Sequence, residues 1–227
     1  MPWRQAMLEK AKSEHSILEN GDVYCFGIYS GQSLLSIASF YARNNIKVKN
    51  FICFDVFSGM PLETAEDIFQ DAWQPGQFNG IKYWGMEIDE ICHYVEKQVF
   101  KVFESYGQTT NIIILPGLVE ETLVDSVMDQ FELNQCSYVD VDFDIYSPSK
   151  YALKYLVNKG LIESGTIIGY DDWGGTPWMN YENGESRAHK EVFIDNNIDT
   201  QLIFQLGDIK NWDIKNNPHI QVGFLVK

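Results

Sequence analysis

Short apolar runs alternate with longer amphipathic segments along most of the 227-residue chain. The apolar runs are rich in Val, Ile and Phe with little polar alternation, which is typical of strands that helices cover on both faces. The pattern predicts seven strands, at 23–28, 49–54, 112–115, 137–141, 166–170, 202–206 and 222–226. It predicts helices at 5–18, 32–43, 87–106, 121–131 and 148–159.

The order of these segments predicts the architecture. A strand–helix–strand alternation favours parallel pairing with right-handed crossovers. The last two strands have no helical segment between them, so we expect an antiparallel edge strand at the C-terminus. Residues 1–227 are therefore expected to form one α/β domain, with a doubly wound, mostly parallel seven-stranded sheet and helices on both faces.

Two long connections interrupt this pattern, near 58–86 and 173–185. Loops of this length inside a compact domain are usually lids or binding loops. Both are rich in aromatic residues, which argues against simple disorder. Both follow the carboxyl end of a predicted strand, where open α/β sheets bind ligands. We therefore expect two lid-like loops.

The charge of the chain narrows the classes of partner. Lys and Arg number 17 against 32 Asp and Glu, a net charge of −15. Without a basic tract, nucleic acid and anionic membranes are poor partners, and no stretch predicts a membrane span. The scattered cysteines, Cys25, Cys53, Cys92 and Cys136, show no CxxC spacing and predict reduced thiols in a cytoplasmic protein. The aromatic content also allows a homodimer.

A glycine-rich turn follows the first predicted strand and opens a helix. Gly27 allows a sharp turn, and Gly31 allows a ligand to approach the backbone. The spacing differs from the dinucleotide fingerprint and from the P-loop. The turn is either a tight strand-to-helix connection or a ligand site at the first strand of a doubly wound sheet. Asp55 ends the second strand, where it either accepts hydrogen bonds from a ribose or caps the following turn.

Acidic residues close two other predicted strands. Asp171 and Asp172 end the strand at 166–170, and adjacent carboxylates repel unless a cation compensates. Upstream, Asp140, Asp142 and Asp144 alternate with apolar residues. If the two strand ends are neighbours, three carboxylates could share one hard divalent cation. The alternative is a solvated turn that Asp172 caps.

Five segments in this order resemble one enzyme class. They are GDVYCFGIYSGQS at 21–33, FDVFSGMP at 54–61, LPGLVEETL at 115–123, VDVDFDIYS at 139–147 and YDDW at 170–173. Together they resemble the class I S-adenosylmethionine-dependent methyltransferases. Within that class they are most similar to the macrocin O-methyltransferase (TylF/MycF-type) family. The family usually has an acidic residue where this chain has Cys25.

The resemblance implies a role for each matching residue. The methionine part of S-adenosyl-L-methionine would be lined by Gly27, Tyr29, Gly31 and Ser33. Asp55 would hold the ribose, and Gly117 and Leu118 would flank the adenine. The metal ligands would be Asp171, Asp172 and one aspartate of the upstream strand. Alignment on Tyr146 gives Asp142 as that ligand with Asp144 as its partner, whereas alignment on the strand favours Asp140.

These roles predict methylation of a hydroxyl with Mg²⁺ or another divalent cation. The acceptor would be a small molecule, a sugar or glycoside, stacked on rings such as Trp73, Trp84, Trp173 or Trp178. Candidates for the general base are Asp144 and His189. Two alternatives stay open: a metal-dependent hydrolase of α/β fold, which would lack a GxSxG nucleophile turn, and a non-catalytic homologue that binds the cofactor.

Overall fold

The computed structural model describes residues 2–67, 73–174, 183–207 and 220–227. Its strands are β1 (Gly21–Phe26), β2 (Val48–Asp55), β3 (Asn111–Pro116), β4 (Cys136–Val141), β5 (Ile167–Gly174), β6 (Thr200–Leu206) and β7 (Ile220–Val226). Its helices are α1 (Trp3–Glu14), α2 (Gln32–Arg43), α3 (Gly80–Trp84), α4 (Ile88–Ser105), α5 (Val119–Thr122), α6 (Asp125–Met128), α7 (Tyr146–Asn158) and α8 (Gly184–His189). A π-helical turn, Lys190–Ile194, continues α8.

The seven strands form one sheet in the order β3-β2-β1-β4-β5-β7-β6. Pairing is parallel from β3 through β5, and β7 is antiparallel to both of its neighbours. The expected doubly wound, mostly parallel sheet is therefore confirmed. The antiparallel C-terminal strand lies between β5 and β6, so β6 forms the edge.

Helices cover both faces of this sheet, as the side chains of β1 show, since successive side chains point to opposite faces. Val23 and Cys25 pack with residues of α1, α2 and α4. Tyr24 and Phe26 point the other way and pack with residues of α7 and α8. Since all four side chains are fully buried, the continuous apolar run reflects a strand with two covered faces.

One predicted helix differs from the structure. The segment 121–131 was expected to be a single helix, but the structure contains α5 and α6 with a break between them. Val124 has extended backbone angles (φ −130°, ψ 156°). A β-branched residue fits this conformation well. The local preference of Val124 therefore interrupts the helical pattern.

The carboxyl ends of the five parallel strands, β1 to β5, lie at one edge of the sheet. Because β1 and β4 are neighbours, the strand order reverses between them. In open α/β sheets such a switch point is the usual ligand site. Of the two expected lids, residues 68–72 and 175–182 lie outside the described residues, and the lid role stays a prediction. Among the described helices, none has both the length and the apolar character that crossing a membrane requires.

Candidate active site

Three carboxylates meet where β4 and β5 end. Val141 pairs with Tyr170 across these parallel strands, so the residues that follow are neighbours. One carboxylate oxygen from each of Asp142, Asp171 and Asp172 lies within 4.8 Å of the other two. Asp172 is buried and the other two are half-buried. The two acidic strand ends expected to share an ion are therefore adjacent.

Asp140 faces a different partner. Nε of Arg4 donates to both carboxylate oxygens of Asp140 at 2.8 Å, and the Tyr138 hydroxyl donates to one of them at 2.6 Å. Nη2 of Arg4 also donates to Asp142 at 2.7 Å, and Nη1 lies 3.8 Å from Asp171. Asp140 is thus a fully buried ion-pair partner, and Asp142 is the residue of β4's end that joins Asp171 and Asp172.

Glu185 is a further carboxylate at this site. It lies on α8, is fully buried, and accepts hydrogen bonds from the backbone N–H groups of Phe143 at 3.2 Å and Asp172 at 3.1 Å. Sequence reasoning missed both Glu185 and Arg4. A single basic residue near the N-terminus and a glutamate after a long loop carry no motif that would signal them.

The cluster carries an excess of negative charge. Burial raises the pKa of Asp142 well above its usual range, and Asp171 and Asp140 add to the rise while Arg4 opposes it. Burial followed by the charges of Asp172, Asp142 and Asp171 likewise raises the pKa of Glu185. Closely spaced oxygen ligands that repel one another in a buried place are a donor set that a hard divalent cation fits.

Asp144 lies next to this cluster. Its backbone is left-handed (φ 65°), a conformation that a short polar side chain tolerates better than most. Its carboxyl group forms hydrogen bonds with the side chains of Asp172 and Trp73. Burial, Asp172 and Asp142 raise its pKa, in that order. The predicted partner of Asp142 is therefore held against the same cluster.

The glycine turn packs directly on the end of β4. Gly27 has φ 93°, and a side chain at this position would collide with the carbonyl oxygen of Asp142. Gly31 has φ 72° and is the N-cap of α2, while the space around it is open apart from a methyl group of Val95 at 3.8 Å. Close packing requires glycine at the first position, and backbone conformation favours it at the second.

Asp55 holds this turn in place. One carboxylate oxygen accepts from the N–H groups of Ile28 at 2.6 Å and Tyr29 at 2.9 Å. The other accepts from the N–H of Phe57 at 2.5 Å. Asp55 therefore caps its own turn, as the simpler interpretation proposed, and also orders the glycine turn. Its contact with a ribose stays a prediction.

The other residues expected at the cofactor lie at the same edge of the sheet. The N–H of Gly117 donates to the carbonyl of Asp55 at 2.9 Å, and Leu118 is exposed directly after it. Tyr29 is exposed and Ser33, in the first turn of α2, is half-buried. Their positions agree with a ligand that spans the ends of β1, β2 and β3, and their binding roles stay predictions.

His189 lies in a packed aromatic environment. Its Nδ1 is 2.9 Å from the Tyr170 hydroxyl, and its Nε2 is 3.3 Å from Oγ1 of Thr200. Rings of Trp173 and Phe224 contact it at centroid distances of 5.2 and 4.3 Å. Burial lowers its pKa to about 3. The catalytic role expected for His189 stays a prediction, and these contacts favour a packing role.

The aromatic residues expected to stack on a sugar differ in exposure. Trp73 and Trp173 are buried, and Trp178 lies outside the described residues. Trp84 is half-buried, and its indole N–H donates to the carbonyl of Tyr29 at 2.9 Å. Of the described candidates, Trp84 is thus the indole beside the glycine turn with surface available to a ligand.

Comparisons with known proteins give a matching family model and similar solved structures. A family model described as macrocin-O-methyltransferase (TylF) matches residues 5–204. The fold resembles the crystal structure of CalS11, a calicheamicin methyltransferase, with a TM-score of 0.59, 17% identity, and coverage of 96% of this chain and 76% of that chain. It also resembles the O-methyltransferase NovP, with a TM-score of 0.53, 15% identity, and coverage of 98% and 77%. No curated protein sequence matches the chain.

Proposed function

Because the chain belongs to the macrocin O-methyltransferase (TylF) family, we propose that it transfers a methyl group from S-adenosyl-L-methionine to a hydroxyl of a sugar or related small molecule, with the help of a divalent cation. One observation carries this proposal: the glycine turn at Gly27 packs against Asp142, a member of the acidic cluster. A cofactor held by the turn and a hydroxyl held at the cluster would then be neighbours.

The cofactor would lie along the ends of β1, β2 and β3. Gly27, Tyr29, Gly31 and Ser33 would line its methionine part, Asp55 its ribose, and Gly117 and Leu118 its adenine. Asp55 already accepts hydrogen bonds from three backbone N–H groups. Since two carboxylate oxygens offer about four acceptor positions, a ribose hydroxyl can still donate to it.

Asp142, Asp171 and Asp172 would hold the cation, for which Mg²⁺ is the natural candidate because all donors are carboxylate oxygens. The chemistry that such an ion supplies is Lewis-acid activation of a hydroxyl, which lowers the pKa of that group. The protein's part is to fix three ligand oxygens within 4.8 Å of one another. Glu185 and Arg4 support this arrangement through the contacts described above.

Asp144 is the candidate acceptor for the hydroxyl proton. It is half-buried, and its contacts with Asp172 and Trp73 place it beside the proposed ligands. A general base has to lie within hydrogen-bond reach of the proton that it takes. A substrate whose hydroxyl group lies at the acidic cluster would place that proton within reach of Asp144. Trp84 and Tyr29 would offer ring faces to the apolar surface of the substrate.

Calorimetry with S-adenosyl-L-methionine, followed by turnover assays, tests the proposal. The protein should bind the cofactor and methylate at least one member of a panel of glycosides, free sugars and catechols. After EDTA treatment, turnover should disappear and return with Mg²⁺. Full activity without metal would remove the cation from the mechanism.

The alternatives predict other outcomes. A metal-dependent hydrolase would not bind S-adenosyl-L-methionine, and family membership favours the transferase over it. A non-catalytic homologue would bind the cofactor and methylate no member of the panel. Cys25 is fully buried and forms no surface of the turn. Replacing Cys25 with Asp would test whether the acidic residue usual at this position strengthens cofactor binding.

A further inference from the structure

Arg4 places a positive charge inside the acidic cluster. It belongs to the first turn of α1, and only 7% of its surface is exposed. Burial alone would lower the pKa of its guanidinium, but Asp140, Asp142 and Asp171 more than offset this and hold the pKa well above its usual value. Arg4 is therefore a fixed cation at all physiological pH values.

The guanidinium of Arg4 forms different hydrogen bonds with its two nearest carboxylates, those of Asp140 and Asp142. Nε bonds both oxygens of Asp140, whose position Tyr138 also fixes. Nη2 bonds a single oxygen of Asp142, Oδ2, at 2.7 Å. A planar guanidinium with several donors suits this bridging geometry better than an ammonium does. Asp140 thus anchors Arg4, and Arg4 in turn orients Asp142.

Helix α1 keeps Arg4 in this place. Met7, Leu8 and Ala11 bury the apolar side of the helix in the core. The guanidinium carbon also lies 4.6 Å from the centre of the Trp3 ring, which adds a cation–π contact. The side chain that reaches the cluster is therefore held by the packing of a whole helix.

We infer that Arg4 is a positioning residue for divalent-cation binding: it holds the Asp142 carboxylate in the orientation that the acidic cluster needs. This inference rests on the proposed function of Asp142, Asp171 and Asp172. Partners that hydrogen-bond to a metal-ligating carboxylate typically account for 10- to 100-fold in metal affinity. A positive charge also repels a cation, so the sign of the change on removal separates a positioning residue from a competing one.

Calorimetric titration of the full chain with Mn²⁺ alone measures the effect without any turnover. Arg4→Met should bind Mn²⁺ at least about tenfold more weakly than the unsubstituted protein, and Arg4→Lys should lie between the two. Arg43→Met is the matched control. Arg43 pairs with Glu9 of α1 at 2.5 Å on the surface, so its loss removes an equal charge and an α1 contact away from the cluster.

Loss of Arg4 also leaves Asp140 buried without its cation, which destabilises a fold strongly. The double variant Arg4→Met, Asp140→Asn removes the buried pair together and keeps all three proposed ligands. Like Arg4→Met, this double variant should bind Mn²⁺ more weakly than the unsubstituted protein does. Affinity equal to that of the unsubstituted protein, in either variant, would reduce Arg4 to a counter-ion of Asp140, and tighter binding would make it a competitor; both overturn the inference. Absence of Mn²⁺ binding by the unsubstituted protein would instead contradict the proposed metal role itself.

Discussion

The carboxylate of Glu185 accepts a hydrogen bond from the backbone N–H of Asp172, with 3.1 Å between Oε2 and N. Its other oxygen accepts from the N–H of Phe143 at 3.2 Å. Asp172 belongs to β5 and Phe143 follows β4, so one fully buried side chain ties together the two strand ends that form the acidic cluster. Each proposed metal ligand lies on or beside a segment that Glu185 holds.

Replacing Glu185 with Gln should weaken Mn²⁺ binding by roughly tenfold. The side-chain amide of Gln can accept a hydrogen bond from only one of the two backbone N–H groups, because its NH₂ group faces the other N–H. One of the two hydrogen bonds that connect the strand ends is therefore lost. The removed negative charge lowers affinity in the same direction. Calorimetry measures the change, with Glu163→Gln, an exposed site, as the control. Equal affinities in both variants would contradict the role of Glu185.

The carboxylates of the acidic cluster should make the metal-free protein less stable as pH rises. The pKa values of Asp142, Asp144 and Glu185 are raised in the fold, so above pH 4 these three carboxyl groups bind more protons in the folded state than in the unfolded chain. Their contribution to the free energy of unfolding therefore falls as pH rises. A bound cation should relieve this, so Mg²⁺ should raise Tm more at pH 8 than at pH 5.

Thermal unfolding with and without Mg²⁺ at the two pH values tests this prediction. Asp171→Asn removes one proposed ligand and should shrink the Mg²⁺-dependent shift in Tm at pH 8. A shift of the same size at both pH values would show that these carboxylates are not the groups that the cation neutralises.

The sequence allowed the sheet and the position of the acidic cluster to be predicted, because both depend on local patterns. Continuous apolar runs marked all seven strands, and the predicted helix at 32–43 has the observed bounds of α2. Parallel strands joined by helices place their carboxyl ends at one edge. The neighbourhood of Asp142 and Asp171 follows from that geometry.

The partners of these carboxylates could not be predicted in the same way. Arg4 meets Asp140 across 136 positions of sequence, and Glu185 meets Phe143 across 42. Neither contact leaves a periodic or motif signal, because each depends on how a helix packs against a completed sheet. The break at Val124 shows the opposite failure, in which a local preference overrode a longer amphipathic pattern.

Alanine substitutions at the two glycines of the turn should destabilise the protein by different amounts. Gly27→Ala should destabilise the protein by several kcal/mol and weaken cofactor binding, because its methyl group would collide with the backbone of Asp142. The added methyl group of Gly31→Ala would make only an ordinary contact with Val95 at 3.8 Å, so the cost is that of the left-handed backbone, about 1–2 kcal/mol. Urea unfolding of both variants measures the difference. A larger loss for Gly31→Ala would contradict the close packing of the turn on β4.

His189 should make the protein less stable in mild acid. Its pKa in the fold is about 3, against about 6.5 in an unfolded chain. A histidine with a lowered pKa contributes stability above pH 6.5, and this contribution is lost as pH falls toward 3. At pH 5 the loss amounts to roughly 2 kcal/mol. His189→Phe should remove this dependence while its ring packs against Trp173 and Phe224.

Urea unfolding from pH 5 to pH 8 tests this, with the difference between the unsubstituted protein and His189→Phe isolating one histidine from the carboxylates. His93→Gln, at an exposed position of α4, is the control substitution. The contacts of His189 with Tyr170 and Thr200 indicate a packing role. General-base catalysis by His189 would be favoured instead if the stability of His189→Phe depended on pH as that of the unsubstituted protein does, and if its kcat at pH 8 fell roughly hundredfold.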